Sequence, residues 1–109
     1  MTLLALGINH NTAALDVRER VAFSPEQVEQ ALQQACNSAG LKEMAILSTC
    51  NRTEIYAVGD AGVDNLLDWL AQFHQLDESA LAYCHYAHTD EAAIEHMMKV
   101  SAGLDSLVL

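Results

Sequence analysis

Two short runs with β-strand character stand on either side of a compact polar block, and this arrangement constrains the fold more than any other feature of the chain. Residues 44–47 are apolar, and residues 54–58 bring β-branched and aromatic side chains together before a glycine. Between them, residues 48–53 read Ser-Thr-Cys-Asn-Arg-Thr. We expect this block to form the turn between two paired strands. A turn with a purely structural role more often carries Asn-Gly or Asp-Gly, so we interpret this one as a candidate site.

The rest of the chain alternates between strand-like and helix-like patterns. Residues 2–9 are nearly continuously apolar, as in a central strand, and residues 81–87 are rich in aromatic side chains, as in a fourth strand. Apolar residues recur at helical spacing over residues 28–39 and 63–73. With a last helix capped by Thr89, the order predicts an α+β fold: a ferredoxin-like βαββαβ antiparallel sheet with helices packed on it and an extra C-terminal helix.

Two details of the helices can be predicted from local patterns. Ser24 is a typical N-cap, Pro25 suits the first helical position, and Gln27 completes a capping box, so the first long helix should begin there. In the last helix, Met97 and Met98 are predicted to lie in the core.

Composition limits the class of protein. The chain has 109 residues, of which 51% are hydrophobic and 18% charged, which is typical of one globular domain spanning residues 1–109. Fifteen acidic against five basic residues leave a formal charge of -10, which excludes a broad basic face for nucleic-acid phosphates. Three cysteines without a secretory signal or a membrane-spanning run indicate free thiols in a reducing, cytoplasmic compartment. The sequence contains neither a glycine-rich dinucleotide fingerprint nor a P-loop.

Cys50 is the first candidate for chemistry. A free cysteine is often an inert part of the core, but the residues around Cys50 are polar, which is unusual for a core position. Arg52 lies two residues further on, where its guanidinium can favour the thiolate and bind a substrate carboxylate through two hydrogen bonds. The alternatives for Arg52 are a solvated surface charge or an ion pair with Glu54, and the sequence leaves them open.

The histidines supply further candidates. His96 lies on the last predicted helix, as a general acid or base or as a residue on the flank of that helix. Cys84, His85 and His88 together resemble a metal or haem ligand cluster. They lack a second Cys-x-x-Cys half, and the alternation of a strand would split them between two faces, so we assign no metal site to them.

Four blocks of residues carry a resemblance to a known family. They are Gly7-Ile8-Asn9-His10 with Thr12-Ala13, Ser24-Pro25, residues 48–54, and residues 101–109. In this order the blocks resemble the amino-terminal catalytic domain of the glutamyl-tRNA reductases. The chain departs from the common family pattern at Asn11, at Ala14 and at Ser101-Ala102, and none of these positions touches the block around Cys50.

The resemblance implies a two-stage reaction. A cysteine thiolate attacks the aminoacyl ester of glutamyl-tRNA and forms a glutamyl thioester, which NADPH then reduces to glutamate-1-semialdehyde, the first step of tetrapyrrole (haem, porphyrin) biosynthesis. Cys50 matches the family's nucleophile and His96 its active-site histidine. The matching residues of the glutamate pocket are Thr49, Asn51, Arg52 and Ser106.

The resemblance also implies what lies outside residues 1–109. In the family, an NADPH-binding domain and a dimerisation domain follow, so we expect a homodimer only for the full-length enzyme and no cofactor on this piece. The alternative function is a regulatory module of the same enzyme that binds haem, with Cys84, His85 and His88 as candidate ligands, or a proteolytic adaptor. A redox sensor based on Cys50 is a third hypothesis.

Overall fold

The computed structural model describes residues 2–9, 12, 15–38, 41–49, 52–60, 62–76, 81 and 84–101. The strands are β1 (Thr2–Asn9), β2 (Leu41–Ser48), β3 (Arg52–Gly59) and β4 (Tyr86–Thr89). The helices are α1 (Leu15–Val21), α2 (Pro25–Ser38), α3 (Val63–Phe73) and α4 (Asp90–Ser101). Within these described ranges, none of the helices has the length and apolar character needed to cross a membrane.

The four strands form one antiparallel sheet in the order β2-β3-β1-β4. Strand β1 therefore lies in the interior of the sheet, as its continuous apolar run predicts. This is the strand order of a ferredoxin-like fold, and the predicted α+β class with helices packed on the sheet is confirmed.

The two faces of the sheet have different partners. Leu4, Leu6 and Ile8 alternate along β1 and join a buried cluster with residues of α2 and α3. Helix α4 packs against β1 and β4, and it buries Ala93 and His96. The apolar core thus covers one face of β1, and α4 packs on the other.

The start of α2 confirms the predicted capping box. The backbone N–H of Ser24 donates to the side-chain carbonyl of Gln27 at 2.9 Å, and the N–H of Gln27 donates back to the Ser24 hydroxyl at 3.2 Å. The N–H of Phe23, just before the helix, donates to the hydroxyl of Ser48 at 2.9 Å. The first turn of α2 is thereby joined to the end of β2, next to the polar block.

The predicted fourth strand begins too early. Leu81 is helical, and β4 starts at Tyr86. The N–H of Cys84 donates to the carbonyl of Leu81 at 3.3 Å, and Nδ1 of His85 binds the same carbonyl at 2.8 Å. These local bonds hold Cys84 and His85 close to Leu81, which an extended strand would not allow, and Ala82 and Tyr83 lie outside the described residues. The last helix begins at Asp90, directly after Thr89, so its predicted start is confirmed.

The prediction that Met97 and Met98 lie in the core is wrong for Met98, which is 68% exposed, while Met97 is half-buried. A groove of about 640 Å³ lies beside them, and its lining residues are Leu3, Ile94, Met97, Met98 and Ser101. Ile94, Met97 and Met98 form an apolar stripe at helical spacing, but α4 buries Ala93 and His96 on its other side, toward the sheet.

Candidate functional site

Three side chains of β3 build the base of the candidate site. Arg52, Glu54 and Tyr56 are spaced by two residues, so they project from the same face of the strand. Glu54 is fully buried, and Arg52 is only 2% exposed. A buried carboxylate and a buried guanidinium are costly to hold in a protein interior unless they are paired and hydrogen-bonded.

The carboxylate of Glu54 accepts hydrogen bonds at both oxygens. At Oε1 the donors are Nη1 of Arg52 at 3.2 Å and the hydroxyl of Tyr56 at 2.8 Å. At Oε2 the donors are the hydroxyl of Tyr86 at 2.7 Å and Nε2 of His96. Four donors fill the accepting capacity of a carboxylate. We refer to these five residues as the Glu54 network.

The hydrogen bonds keep Glu54 ionised despite its burial. Burial by itself raises the pKa of this carboxyl, but the bonds from Tyr86, His96 and Tyr56 favour the anion and bring the pKa below its usual value. Burial and the bonds to Glu54 raise the pKa values of both Tyr56 and Tyr86 well above the usual value. Both tyrosines therefore remain neutral hydrogen-bond donors throughout the physiological range of pH.

A glycine allows the network to extend across the sheet. Gly7 of β1 pairs with Glu54 on one side and with Tyr86 on the other. A Cβ atom at Gly7 would lie 2.4 Å from both Cζ and the hydroxyl of Tyr86. The absence of a side chain at this position thus leaves room for the Tyr86 ring to cross β1 and reach Glu54.

His96 is held by ring contacts as well as by Glu54. Its imidazole stacks on that of His88, with ring centroids 4.5 Å apart and an interplanar angle of 25°. The centroid of the Tyr86 ring lies 5.3 Å from that of His96, at an interplanar angle of 58°. With 7% exposure, His96 is a buried imidazole of fixed orientation rather than a solvated residue on the helix flank.

The polar block forms the connection between β2 and β3, as predicted. The N–H of Thr49 donates to the carbonyl of Arg52 at 2.8 Å, and the N–H of Arg52 donates to Oγ1 of Thr49 at 3.3 Å. Cys50 and Asn51 join these two residues in the chain but lie outside the described residues, as does Ser106. The structure thus brings Arg52, Thr49 and His96 into one region and does not test the other three positions.

The structure excludes one of the roles considered for Arg52. It is not a solvated surface charge, because it is buried and paired with Glu54. Gly7, Tyr56 and Tyr86 were not assigned to the site from the sequence, and Glu54 was considered only as a possible ion-pair partner of Arg52. Tyr56 could have been found from its two-residue spacing to Glu54, whereas Tyr86 required knowledge of which strand lies next to β1.

The haem hypothesis gains no support from the described part of the chain. Burial raises the pKa of the half-buried Cys84 thiol, which disfavours the thiolate that a metal would bind. His85 uses Nδ1 to bind the carbonyl of Leu81, and His88 stacks on His96. Among the residues that can be described, no three His, Cys, Asp or Glu side chains converge as a metal site. Haem binding by Cys84, His85 and His88 stays a prediction.

Comparisons with known proteins agree on one family. The family model for the N-terminal domain of glutamyl-tRNA(Glu) reductase matches residues 6–109. A glutamyl-tRNA reductase of Saccharophagus degradans is 60% identical over 109 residues, and one of Pseudomonas savastanoi pv. phaseolicola is 56% identical over 110 residues. Each alignment covers 100% of this chain and 26% of the relative, so the chain spans about a quarter of the length of these proteins.

A solved structure leads to the same family. The glutamyl-tRNA reductase of Methanopyrus kandleri superposes with a TM-score of 0.68 at 26% sequence identity, covering 96% of this chain and 23% of that one. The match with the family model covers residues 6–109, and the alignments with the curated relatives cover the whole chain. The chain belongs to the family of glutamyl-tRNA reductase N-terminal domains.

Proposed function

We propose that this chain forms a glutamyl thioester on Cys50 by attack of its thiol on the aminoacyl ester of glutamyl-tRNA. The observation that carries the proposal is the Glu54 network, in which a buried arginine and a buried histidine are fixed on one carboxylate beside the hairpin that contains Cys50. A nucleophile, a base and a group that orients the base are the parts that covalent catalysis requires. The names of the relatives supply the substrate class.

His96 is the proposed acid–base residue. Its Nε2 binds the Glu54 anion, which favours the tautomer with the proton on Nε2 and the lone pair on Nδ1. In the proposed step, Nδ1 takes the proton of the Cys50 thiol while sulfur bonds to the ester carbon. The carbon–oxygen bond to the ribose then breaks, the oxygen keeps the electron pair, and Nδ1 returns the proton to it. Glu54 orients the imidazole and stabilises the imidazolium that forms during the step, as the aspartate carboxylate does in a Ser-His-Asp triad.

Arg52 is the proposed selector for glutamate. The γ-carboxylate of a glutamyl group would otherwise lose its hydration on entering a buried site, and a guanidinium with five N–H donors compensates for that loss. Glu54 keeps the guanidinium in place by its bond to Nη1. Thr49 bonds to the backbone of Arg52 at the end of the hairpin, which supports its proposed role as a second part of this pocket. Asn51 and Ser106 complete the proposed set.

Reduction of the thioester is not assigned to residues 1–109. The five glycines of the chain form no G-x-G-x-x-G run, and the described sheet is antiparallel, whereas that fingerprint belongs to a parallel βαβ unit. The residues present therefore do not fit a dinucleotide site of the Rossmann type. In this proposal, the hydride donor and the dimer contacts belong to the rest of a full-length reductase.

Contact with tRNA is proposed to be confined to the aminoacylated end. A formal charge of -10 disfavours the wide phosphate contact that nonspecific RNA binding needs. Binding of this chain to uncharged tRNA should accordingly be weak and should not compete strongly with glutamyl-tRNA.

The test uses glutamyl-tRNA with radiolabelled glutamate. After ribonuclease digestion of the remaining glutamyl-tRNA, the parent chain should retain label that survives acid precipitation and is released by neutral hydroxylamine, as expected for a thioester. Cys50→Ser should lose this label, and Cys84→Ser, the matched control at a half-buried cysteine, should retain it. Equal hydroxylamine-sensitive labelling of the parent and Cys50→Ser would refute the nucleophile.

A further inference from the structure

The two oxygens of Glu54 serve two different partners, and each oxygen has its own tyrosine. At Oε1, the Tyr56 hydroxyl binds alongside Nη1 of Arg52. At Oε2, the Tyr86 hydroxyl binds alongside Nε2 of His96. The carboxylate is therefore fixed in both position and rotation by one tyrosine on each side.

The two tyrosines reach Glu54 by different routes. Tyr56 lies on the same strand, two residues from Glu54, and like Tyr86 it is partly exposed. Tyr86 comes from β4, two strands away, across the space that Gly7 leaves open. The Tyr86 ring also lies 5.3 Å from the His96 ring, whereas its hydroxyl is 3.5 Å from Arg52 Nη1, at the limit of a hydrogen bond. The short hydrogen bond of Tyr86 is thus to the Glu54 oxygen that His96 also binds, and its contact with Arg52 is longer.

We propose that Tyr86 and Tyr56 are positioning residues with separate tasks: Tyr86 fixes the Glu54 oxygen that orients His96, and Tyr56 fixes the oxygen that orients Arg52. Gly7 is part of the same device because it admits Tyr86. The inference rests on the proposed function and adds to it a division between the acid–base step and the selection of glutamate.

The kinetic test compares Tyr86→Phe with Tyr56→Phe, two substitutions that keep the ring and remove one hydroxyl. Tyr86→Phe should lower the maximal rate of Cys50 acylation by about tenfold, because a misplaced imidazole loses part of the ~10²–10⁴-fold contribution of general acid–base catalysis. The half-saturating concentration of glutamyl-tRNA should stay within about twofold of the parent value. Tyr56→Phe should mainly reduce the preference for glutamyl-tRNA over the same tRNA charged with glutamine, also by about tenfold. Identical kinetic changes in both variants would overturn the division of tasks.

A second measurement does not depend on activity. In the parent chain, ¹⁵N NMR should show the His96 Nε2 proton exchanging slowly with water, because that proton is donated to Glu54. Tyr86→Phe should accelerate this exchange by about tenfold, and Tyr56→Phe should leave it within about twofold. An unchanged rate in Tyr86→Phe, or an equal change in both variants, would refute the positioning role.

The two measurements distinguish a failure of the proposed function from a failure of the positioning roles of the tyrosines. If the parent chain is not acylated, the proposed function fails, and the exchange of the His96 proton alone decides whether Tyr86 positions the imidazole. If acylation occurs and the variants behave alike in both experiments, the proposed function stands and the inference fails. Gly7→Ala provides a third variant, which should reproduce the exchange of Tyr86→Phe because the added Cβ displaces the Tyr86 ring.

Discussion

Replacing Glu54 by glutamine should destabilise the fold far more than the small change in shape suggests. Glu54 accepts from Arg52 and Tyr56 at one oxygen and from Tyr86 and His96 at the other. A glutamine amide has one oxygen and one NH₂ group, so in either orientation the NH₂ faces two donors. The substitution also removes the carboxylate charge that pairs with the buried guanidinium of Arg52. Breaking a buried ion pair by removing one partner costs roughly 3–5 kcal/mol, a large share of the ~5–15 kcal/mol that stabilises a typical domain.

The assay is equilibrium unfolding in urea at neutral pH, with the same substitution at an exposed ion pair as the control. Glu95 binds Lys99 at 3.5 Å on α4, and these side chains are 72% and 55% exposed. Glu95→Gln should change the free energy of unfolding by no more than about 0.5 kcal/mol. If Glu54→Gln also cost less than about 1 kcal/mol, the Glu54 network would not be the buried, mutually dependent arrangement described above.

Three further predictions concern stability. Because the pKa of Glu54 lies below its usual value of 4.5, its contribution to the free energy of unfolding should be fully present above pH 4.5 and be lost as the pH falls through the lower folded-state pKa. Unfolding measured across acid pH should therefore show a steeper loss of stability in the parent than in Glu54→Gln. Burial lowers the pKa of His74, so the free energy of unfolding should fall as the pH decreases from 6.5 toward the pKa of His74 in the folded state. His74→Gln should make the free energy of unfolding less dependent on pH in this range, and an equal slope in both proteins would contradict the prediction. Ser24→Ala removes the cap of α2 and should cost about 1 kcal/mol in urea unfolding, whereas no loss would mean that the capping box is not formed in solution.

The features that could be predicted from the sequence are those that depend on neighbours in the chain. The capping box of Ser24 and Gln27 spans three residues, and β1 and the two strands of the hairpin appear as continuous apolar or alternating runs. Arg52 could be nominated because it stands beside a cysteine in a polar turn. Such signals are local, and no knowledge of the tertiary structure is needed to interpret them.

The features that could not be predicted depend on which strands become neighbours. Glu54 and His96 are 42 residues apart in the chain, and Glu54 and Tyr86 are 32 apart. The role of Gly7 becomes visible only when β1 is known to lie between β3 and β4. The packing of Met98 was mispredicted for a related reason: an apolar stripe shows that a helix has a face but does not show which face meets the sheet.

The position of the glutamyl group on the protein decides whether Cys50 is the nucleophile. After reaction with glutamyl-tRNA and digestion by pepsin in acid, mass spectrometry can separate the peptides that contain Cys36, Cys50 and Cys84. We expect the adduct on the Cys50 peptide, its absence in Cys50→Ser and its retention in Cys84→Ser. An adduct located on another peptide, or one that persists in Cys50→Ser, would show that Cys50 is not the nucleophile.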